Sequence, residues 1–355
     1  MSRKFMLISL LIIFLLLFAS LKSSRENTNP IRVAPLIVNP DKLFNLDFEY
    51  VINNSCDYDG NSNLSVVVLV TSYLGNVETR SAMRRAFPSD VLKKLGVRRV
   101  FLLGLAPGDK YTKQEAIYDE ERRFGDLLQG NFVEAYRNLT YKHLMGLKWA
   151  AASCQRVKYV IKMDDDIVVN VYKLLQLLHT IKLPKKLLAG YLLSGMTPIR
   201  ESSNKWYIRL DEFKYPSYPT FLSGWFYVTN PNTVQSLVKE STKVPYFWVD
   251  DVYITGLLAQ KSQVRHYNIG QYFTVHSEFL ECCMRDVKKF WYDCDIIVGP
   301  NGGDNNLFYK FNDVVSECYY RKCSKRIRSL NETCVGEVKR TLGRGNSIIS
   351  SYQLG

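Results

Sequence analysis

The sequence predicts an α/β fold, with a mainly parallel sheet covered by helices on both faces. Short apolar runs alternate along the chain with stretches whose apolar residues recur every three or four positions. The runs themselves are continuous, as in strands buried on both faces. With 355 residues, 46% hydrophobic and 23% charged, the composition is that of an ordinary globular protein and excludes a disordered, collagen-like or low-complexity chain.

The first element is apolar residues 5–21, interrupted only by Ser9 and Ser20 and preceded by Arg3 and Lys4. As a helix it spans roughly 25 Å, enough for a thin bilayer. No small-x-small cleavage site follows at Leu21 and Lys22, which favours an uncleaved anchor over a cleaved signal peptide. The expected layout is a cytosolic tail at 1–4, a transmembrane helix at 5–21 and a Pro- and Asn-rich stem at 22–64. A lumenal domain at 65–290 and a Cys-containing extension at 291–355 complete it. Eight cysteines, an even number, suit disulfides in an oxidising compartment, although spacing alone leaves 105 pairings open. Four Asn-x-Ser/Thr sequons begin at Asn53, Asn63, Asn138 and Asn331. The net charge of +13 raises nucleic acid as a partner. However, the basic residues are scattered in pairs without interleaved aromatics, and a translocated domain does not meet nucleic acid.

From residue 65 the elements follow in order. The run 66–70 reads as a buried strand, 78–86 as a short helix, and 100–103 as a second strand ending at Gly104. A helix is expected within 131–154, its apolar face carrying Tyr141, Leu144, Leu147, Ala151 and Cys154. Val157, Tyr159, Ile161 and Met163 alternate as a strand, followed by a helix at 172–181 and apolar stretches at 187–193 and 224–228. Asn230 and Pro231 supply an N-cap and a first helical residue. Beyond about residue 290 no periodicity stands out.

Three carboxylates, Asp164, Asp165 and Asp166, follow the alternating strand and precede apolar Ile167, Val168 and Val169. Like charges packed against apolar chain repel and resist burial, a conflict that a hard divalent cation relieves. A cation held by one or two carboxylates keeps positions for substrate phosphates. The alternative is an acidic surface turn. A second acidic pair, Asp250 and Asp251, stands at a helix start, where one acid can cap and the other face a cleft as general base.

In chain order the sequence carries Arg80 and Arg84, then Phe101 to Gly104, then Glu120 and Asp126. Next come Tyr136 to Lys142 with Trp149 and Cys154, then Lys162 to Asp166. Tyr218, Pro219, Ser223, Gly224 and Tyr227 follow, and Asp250, Asp251, Val252, Tyr253 and Gly256 complete the series. Over roughly residues 65–260 this resembles the β-1,3-galactosyltransferase and N-acetylglucosaminyltransferase family, family 31 of the glycosyltransferases.

The resemblance implies a GT-A fold, a UDP-sugar donor, Mn²⁺ (Mg²⁺ as the alternative) and inversion at the anomeric carbon. The acceptor would be a glycoprotein or glycolipid, and the setting a single-pass type II protein of the Golgi membrane. Carried over, Asp166 is the first metal ligand with Asp164 beside it, and Asp164 and Asp165 lie nearer the ribose and diphosphate. His276 is the expected histidine ligand and His266 the spare. Arg80, Arg84 and Lys162 fall on the donor side. Asp251 is the expected base with Asp250 beside it, and Gly224, Trp225, Phe226 and Tyr227 form the acceptor and sugar pocket.

The sequence departs from the family's pattern at Ala86, Phe87, His143, Phe221, Trp225 and Phe226. The altered pocket at Trp225 and Phe226 keeps a second reading in play, against the intact acidic motifs: a non-catalytic lumenal relative that binds a glycan or a partner. A metal-dependent phosphohydrolase lacks a second metal cluster of recognisable spacing.

Overall fold

A computed structural model describes residues 49–57, 63–109, 111–180 and 184–334. The expected anchor at 5–21 and most of the stem lie outside them. Among the described residues no helix is long and apolar enough to cross a membrane.

Ten strands form among the described residues: β1 (Tyr50–Ile52), β2 (Val66–Thr71), β3 (Val97–Leu105), β4 (Leu127–Val133), β5 (Tyr159–Asp164), β6 (Ile167–Val169), β7 (Leu187–Leu193), β8 (Phe221–Thr229), β9 (Arg265–Asn268) and β10 (Val298–Pro300). Eight make one sheet in the order β1-β4-β3-β2-β5-β8-β7-β9, while β6 pairs with β10. Around β2 the ladder is parallel, with β3 on one side and β5 on the other. Beyond β5 it turns antiparallel through β8 and β7, and β9 closes it parallel to β7. The sheet is thus mixed, with parallel pairings in the majority, in keeping with the mainly parallel sheet expected.

The longer helices are α1 (Val77–Ala86), α2 (Gln114–Phe124), α3 (Leu139–Ser153), α4 (Val171–Thr180), α5 (Pro231–Ser241), α6 (Glu278–Phe290) and α7 (Asn306–Arg321). The sheet has a core on each face. Met83 of α1, Leu174 and Leu178 of α4 and Phe311 of α7 pack on the side of Val66 and Val70. Leu144 and Leu147 of α3 with Val234 and Leu237 of α5 pack on the side of Val67 and Leu69. Asn230 caps α5 as its sequence requires, its Oδ1 accepting from Thr233 N at 3.0 Å. The helix expected within 131–154 is α3, Leu139–Ser153, and residues up to Val133 complete β4 against β3.

Of the region set apart at 291–355, the described residues 291–334 belong to the same compact unit. β10 pairs antiparallel with β6, and Leu307, Phe308 and Phe311 of α7 enter the first core. Four disulfides use all eight cysteines: Cys56–Cys154, Cys282–Cys334, Cys283–Cys294 and Cys318–Cys323.

The sequons divide. Asn53 and Asn63 are exposed, whereas Asn138 is buried and its Nδ2 donates to Val133 O at 2.8 Å. The side chain of Asn331 falls outside the described residues. A glycan on Asn138 is incompatible with this packing. Peptide mapping of the mature protein should therefore find the Asn138 peptide unmodified, with Asn53 and Asn63 the available sites.

Candidate active site

Ligands of open α/β sheets bind beyond the carboxyl ends of parallel strands. Here β2 ends at Thr71 beside Asp164 at the end of β5. β8 runs the other way, so Gly224 and Trp225 cross the same edge. These residues line a cleft of about 850 Å³ together with Lys162, Asp165, Asp166, Trp248, Asp250 and Asp251.

The three acids of the triplet meet different surroundings. Asp164 Oδ1 accepts from Lys162 Nζ at 2.7 Å. Burial outweighs that lysine and raises the Asp164 pKa above the usual carboxylate range. Asp165 Oδ2 accepts from Ser72 Oγ at 2.7 Å and Asn76 Nδ2 at 3.0 Å, which turns it toward the end of β2. Asp166 keeps an edge exposed to the cleft. Enclosure by the cleft, then the charges of Asp164 and Asp165, push its pKa up to about 6. Its own backbone is clamped, since its carbonyl accepts from Asn301 N at 2.7 Å just past β10.

Crowded carboxylates of this kind fit a hard cation, and Asp166 is the one open to it. Among the described residues no group of three or more His, Cys, Asp or Glu side chains could hold a metal ion. One or two carboxylates completed by phosphate oxygens would suffice.

On the opposite wall Asp250 and Asp251 are adjacent in sequence but differ in chemistry. Asp250 Oδ2 lies 2.9 Å from His143 Nδ1 and 3.9 Å from Lys162 Nζ. Burial opposes its charge, yet the His143 hydrogen bond and then Lys162 prevail and hold its pKa below the usual range. An ionised Asp250 only accepts, so His143 donates from Nδ1. Its Nε2 then accepts from the Tyr227 hydroxyl at 2.6 Å. Burial lowers the pKa of His143 and keeps the ring neutral.

Asp251 caps the seven-residue π-helix Val252–Leu258, Oδ1 accepting from Val252 N at 2.7 Å. Its other oxygen meets Gly224 N at 3.3 Å. Burial, then the negative charge of Asp250, raise the Asp251 pKa to about 7. Gly224 is required there: a Cβ would stand 2.9 Å from Asp251 Cβ. Its carbonyl accepts from Lys162 Nζ, so one glycine links the lysine to both acidic walls.

Several expected site residues stand elsewhere. Arg80 is fully buried and forks onto Glu120 at 2.7 and 2.6 Å, while its Nη atoms donate to the carbonyls of Tyr73 and Leu74. Arg84 is likewise buried on Asp126 at 2.9 and 2.6 Å. Both arginines therefore brace the loop after β2 and the start of β4 from behind, and neither lines the cleft.

Phe226 points into the first core against Phe273, and Tyr227 is buried on His143, so only Gly224 and Trp225 of that group line the cleft. His276 is exposed and does not line the cleft. His266 donates from Nε2 to Thr255 O at 2.6 Å, inside the π-helix.

Three groups went unassigned by sequence reasoning. Ser72 and Asn76 carry no motif signal. His143 was visible only as a departure at a position that the fold turns into the partner of Asp250.

A family model described as Galactosyltransferase matches residues 78–270. Human beta-1,3-galactosyltransferase 2 is 33% identical over 216 residues, which cover 60% of this chain and 51% of that protein. Mouse beta-1,3-galactosyltransferase 1 is 30% identical over 249 residues, covering 69% of this chain and 73% of that one. This chain thus spans about half the length of the first relative and nearly three quarters of the second. Among solved structures, the galactosyltransferase LgtC with donor and acceptor sugar analogs aligns with a TM-score of 0.35 at 10% identity, over 71% of this chain and 95% of that one. The bifunctional glycosyltransferase WbbM aligns at 0.38 and 12%, over 73% and 52%. The matched span includes the acidic triplet, Gly224 and the Asp250–Asp251 pair, and by that match the chain belongs to the galactosyltransferase family.

Proposed function

We propose that this chain is an inverting glycosyltransferase of GT-A type. It moves a hexose or N-acetylhexosamine from a UDP-sugar to a sugar hydroxyl in β-1,3 linkage on a glycoprotein or glycolipid. The observation that carries the reading is one cleft with an acidic triplet on one wall and, on the other, a carboxylate whose pKa is raised to about 7. The names of the relatives, beta-1,3-galactosyltransferases, support the reaction class. The apolar run at 5–21 and the four disulfides support a type II Golgi-membrane protein with this domain in the lumen.

Asp166, with Asp164 behind it, would hold Mn²⁺ or Mg²⁺, which when bound neutralises the departing diphosphate. The chain's own residues do the rest. Asp165, oriented by Ser72 and Asn76, presents its free oxygen toward the donor. Lys162 balances Asp164 and Asp250, so the acidic walls coexist. Asp251 accepts the proton of the acceptor hydroxyl as that oxygen attacks the anomeric carbon from the face opposite the diphosphate. Asp250 is the weaker proton acceptor, because His143 and Lys162 engage it and hold its pKa below the usual range.

The test is a panel of UDP-sugars with saccharide acceptors, read as acceptor-dependent UDP release with Mn²⁺, with Mg²⁺ and with chelator. Since the base acts ionised, kcat/KM should fall about tenfold per unit below about pH 7 and level off above. A folded protein that turns over no donor overturns the reading in favour of a binding module. A rate independent of pH from about 5 to 8 removes Asp251 from the base role.

A further inference from the structure

The cleft continues past the acidic walls onto aromatic side chains for which the transfer chemistry has no use. Trp248, two residues before Asp250, lines it and lies 6.1 Å from the Tyr136 ring. Trp206 Nε1 in turn donates to the Tyr136 hydroxyl at 2.7 Å. Tyr136 and Trp206 also line the cleft, yet they are 43% and 50% exposed, where large aromatics are usually covered. Lys205 Nζ stands 4.3 Å from the Tyr136 ring centre and 5.4 Å from that of Trp206.

The loop that carries Trp206 is fixed from below. Arg200 donates to Ile208 O at 2.9 Å and to Phe213 O at 2.6 Å, and Arg137 pairs with Glu212 at 2.6 Å. The Arg137 guanidinium also covers the Trp248 ring at 4.4 Å. One buried donor is left over: the indole N–H of Trp248 has no hydrogen-bond acceptor among the described residues.

The half-exposed rings of Tyr136 and Trp206 beside the Lys205 cation suit a pyranose, which offers one face of C–H bonds to an aromatic ring and a rim of hydroxyls to a donor. We infer that Trp206, Tyr136 and Trp248 form a second carbohydrate subsite, which holds the sugar next to the one glycosylated in an oligosaccharide acceptor. The inference rests on the glycosyl-transfer reading and specifies its acceptor: a disaccharide or longer, rather than a single sugar.

The test is direct binding to the full chain, measured by saturation-transfer NMR titration. The probes are methyl β-galactoside against lactose, and methyl β-N-acetylglucosaminide against N,N′-diacetylchitobiose. One disaccharide should bind about tenfold more tightly than its monosaccharide. Trp206→Ala should bring that ratio close to one, and Trp206→Phe should recover part of it. Tyr111→Ala, at an exposed tyrosine outside the cleft, serves as the unaffected control.

A ratio that survives Trp206→Ala in a protein with native circular dichroism overturns the subsite. So does a parent protein that prefers neither disaccharide. Disaccharide binding that depends on Trp206, without turnover of any UDP-sugar, upholds the subsite and defeats the transferase reading.

Discussion

Asp251→Asn is expected to abolish most turnover while making the protein less sensitive to rising pH. Positioned general bases typically contribute about a hundredfold to ten-thousandfold, so kcat should fall by about that much with little change in donor KM. The stability effect has the opposite sign. The Asp251 pKa is about 7 in the folded protein, above the value of about 4 for an unfolded aspartate. Its contribution is therefore fully present below about pH 4 and is lost as pH rises through about 7. Asparagine cannot ionise, and its carbonyl can keep the Val252 N–H bond. The Tm of the variant relative to the parent should therefore climb between about pH 5 and pH 8. Thermal unfolding across that range, beside steady-state kinetics, checks both halves. A Tm difference that stays flat would mean that Asp251 does not carry the raised pKa.

The second large effect is expected far from catalysis. Arg80→Met removes a fully buried guanidinium and leaves Glu120 with only Arg84. Breaking a buried pair on one side costs about 3–5 kcal/mol, enough to lower Tm by about 10 °C in a domain of this size. Arg80→Lys should recover only a minor part, because an ammonium cannot both fork onto Glu120 and reach the carbonyls of Tyr73 and Leu74. A donor-binding arginine would instead raise the KM for the UDP-sugar at unchanged Tm. Differential scanning calorimetry and donor titration distinguish the two. The Arg80 Nη1 contact to Ser72 Oγ, at 3.2 Å, leads on to Asp165 and makes a secondary loss of activity understandable.

What the sequence revealed depended on how local the physics was. Strand β5 with its terminal acids, and the Asn230 cap of α5, are written within a few residues, and both were legible. Arg80 falls on the donor side only through the family resemblance; its partner lies 40 residues away, and nothing local marks Glu120 as its mate. Phe226 and Tyr227 fall in the pocket through the family resemblance, and Phe221–Thr229 is nearly continuous apolar chain with no alternation to tell its faces apart. β10 is three residues long, too short for any periodicity, yet it seats the loop that holds Asp166. The loop between β7 and β8 that carries Trp206 has no regular pattern and is shaped by Arg200 and Arg137.

The pairing of β6 with β10 has a consequence for biogenesis. The acids at 164–166 leave the ribosome long before Val298–Pro300, the strand that must flank them. Until then the nascent chain carries an unfinished acidic edge. It is completed only when the late-emerging tail, laced by Cys282–Cys334, Cys283–Cys294 and Cys318–Cys323, folds back. Completion of the acidic edge should accordingly depend on thiol oxidation within 282–334, and a chain kept reduced there should leave that edge open.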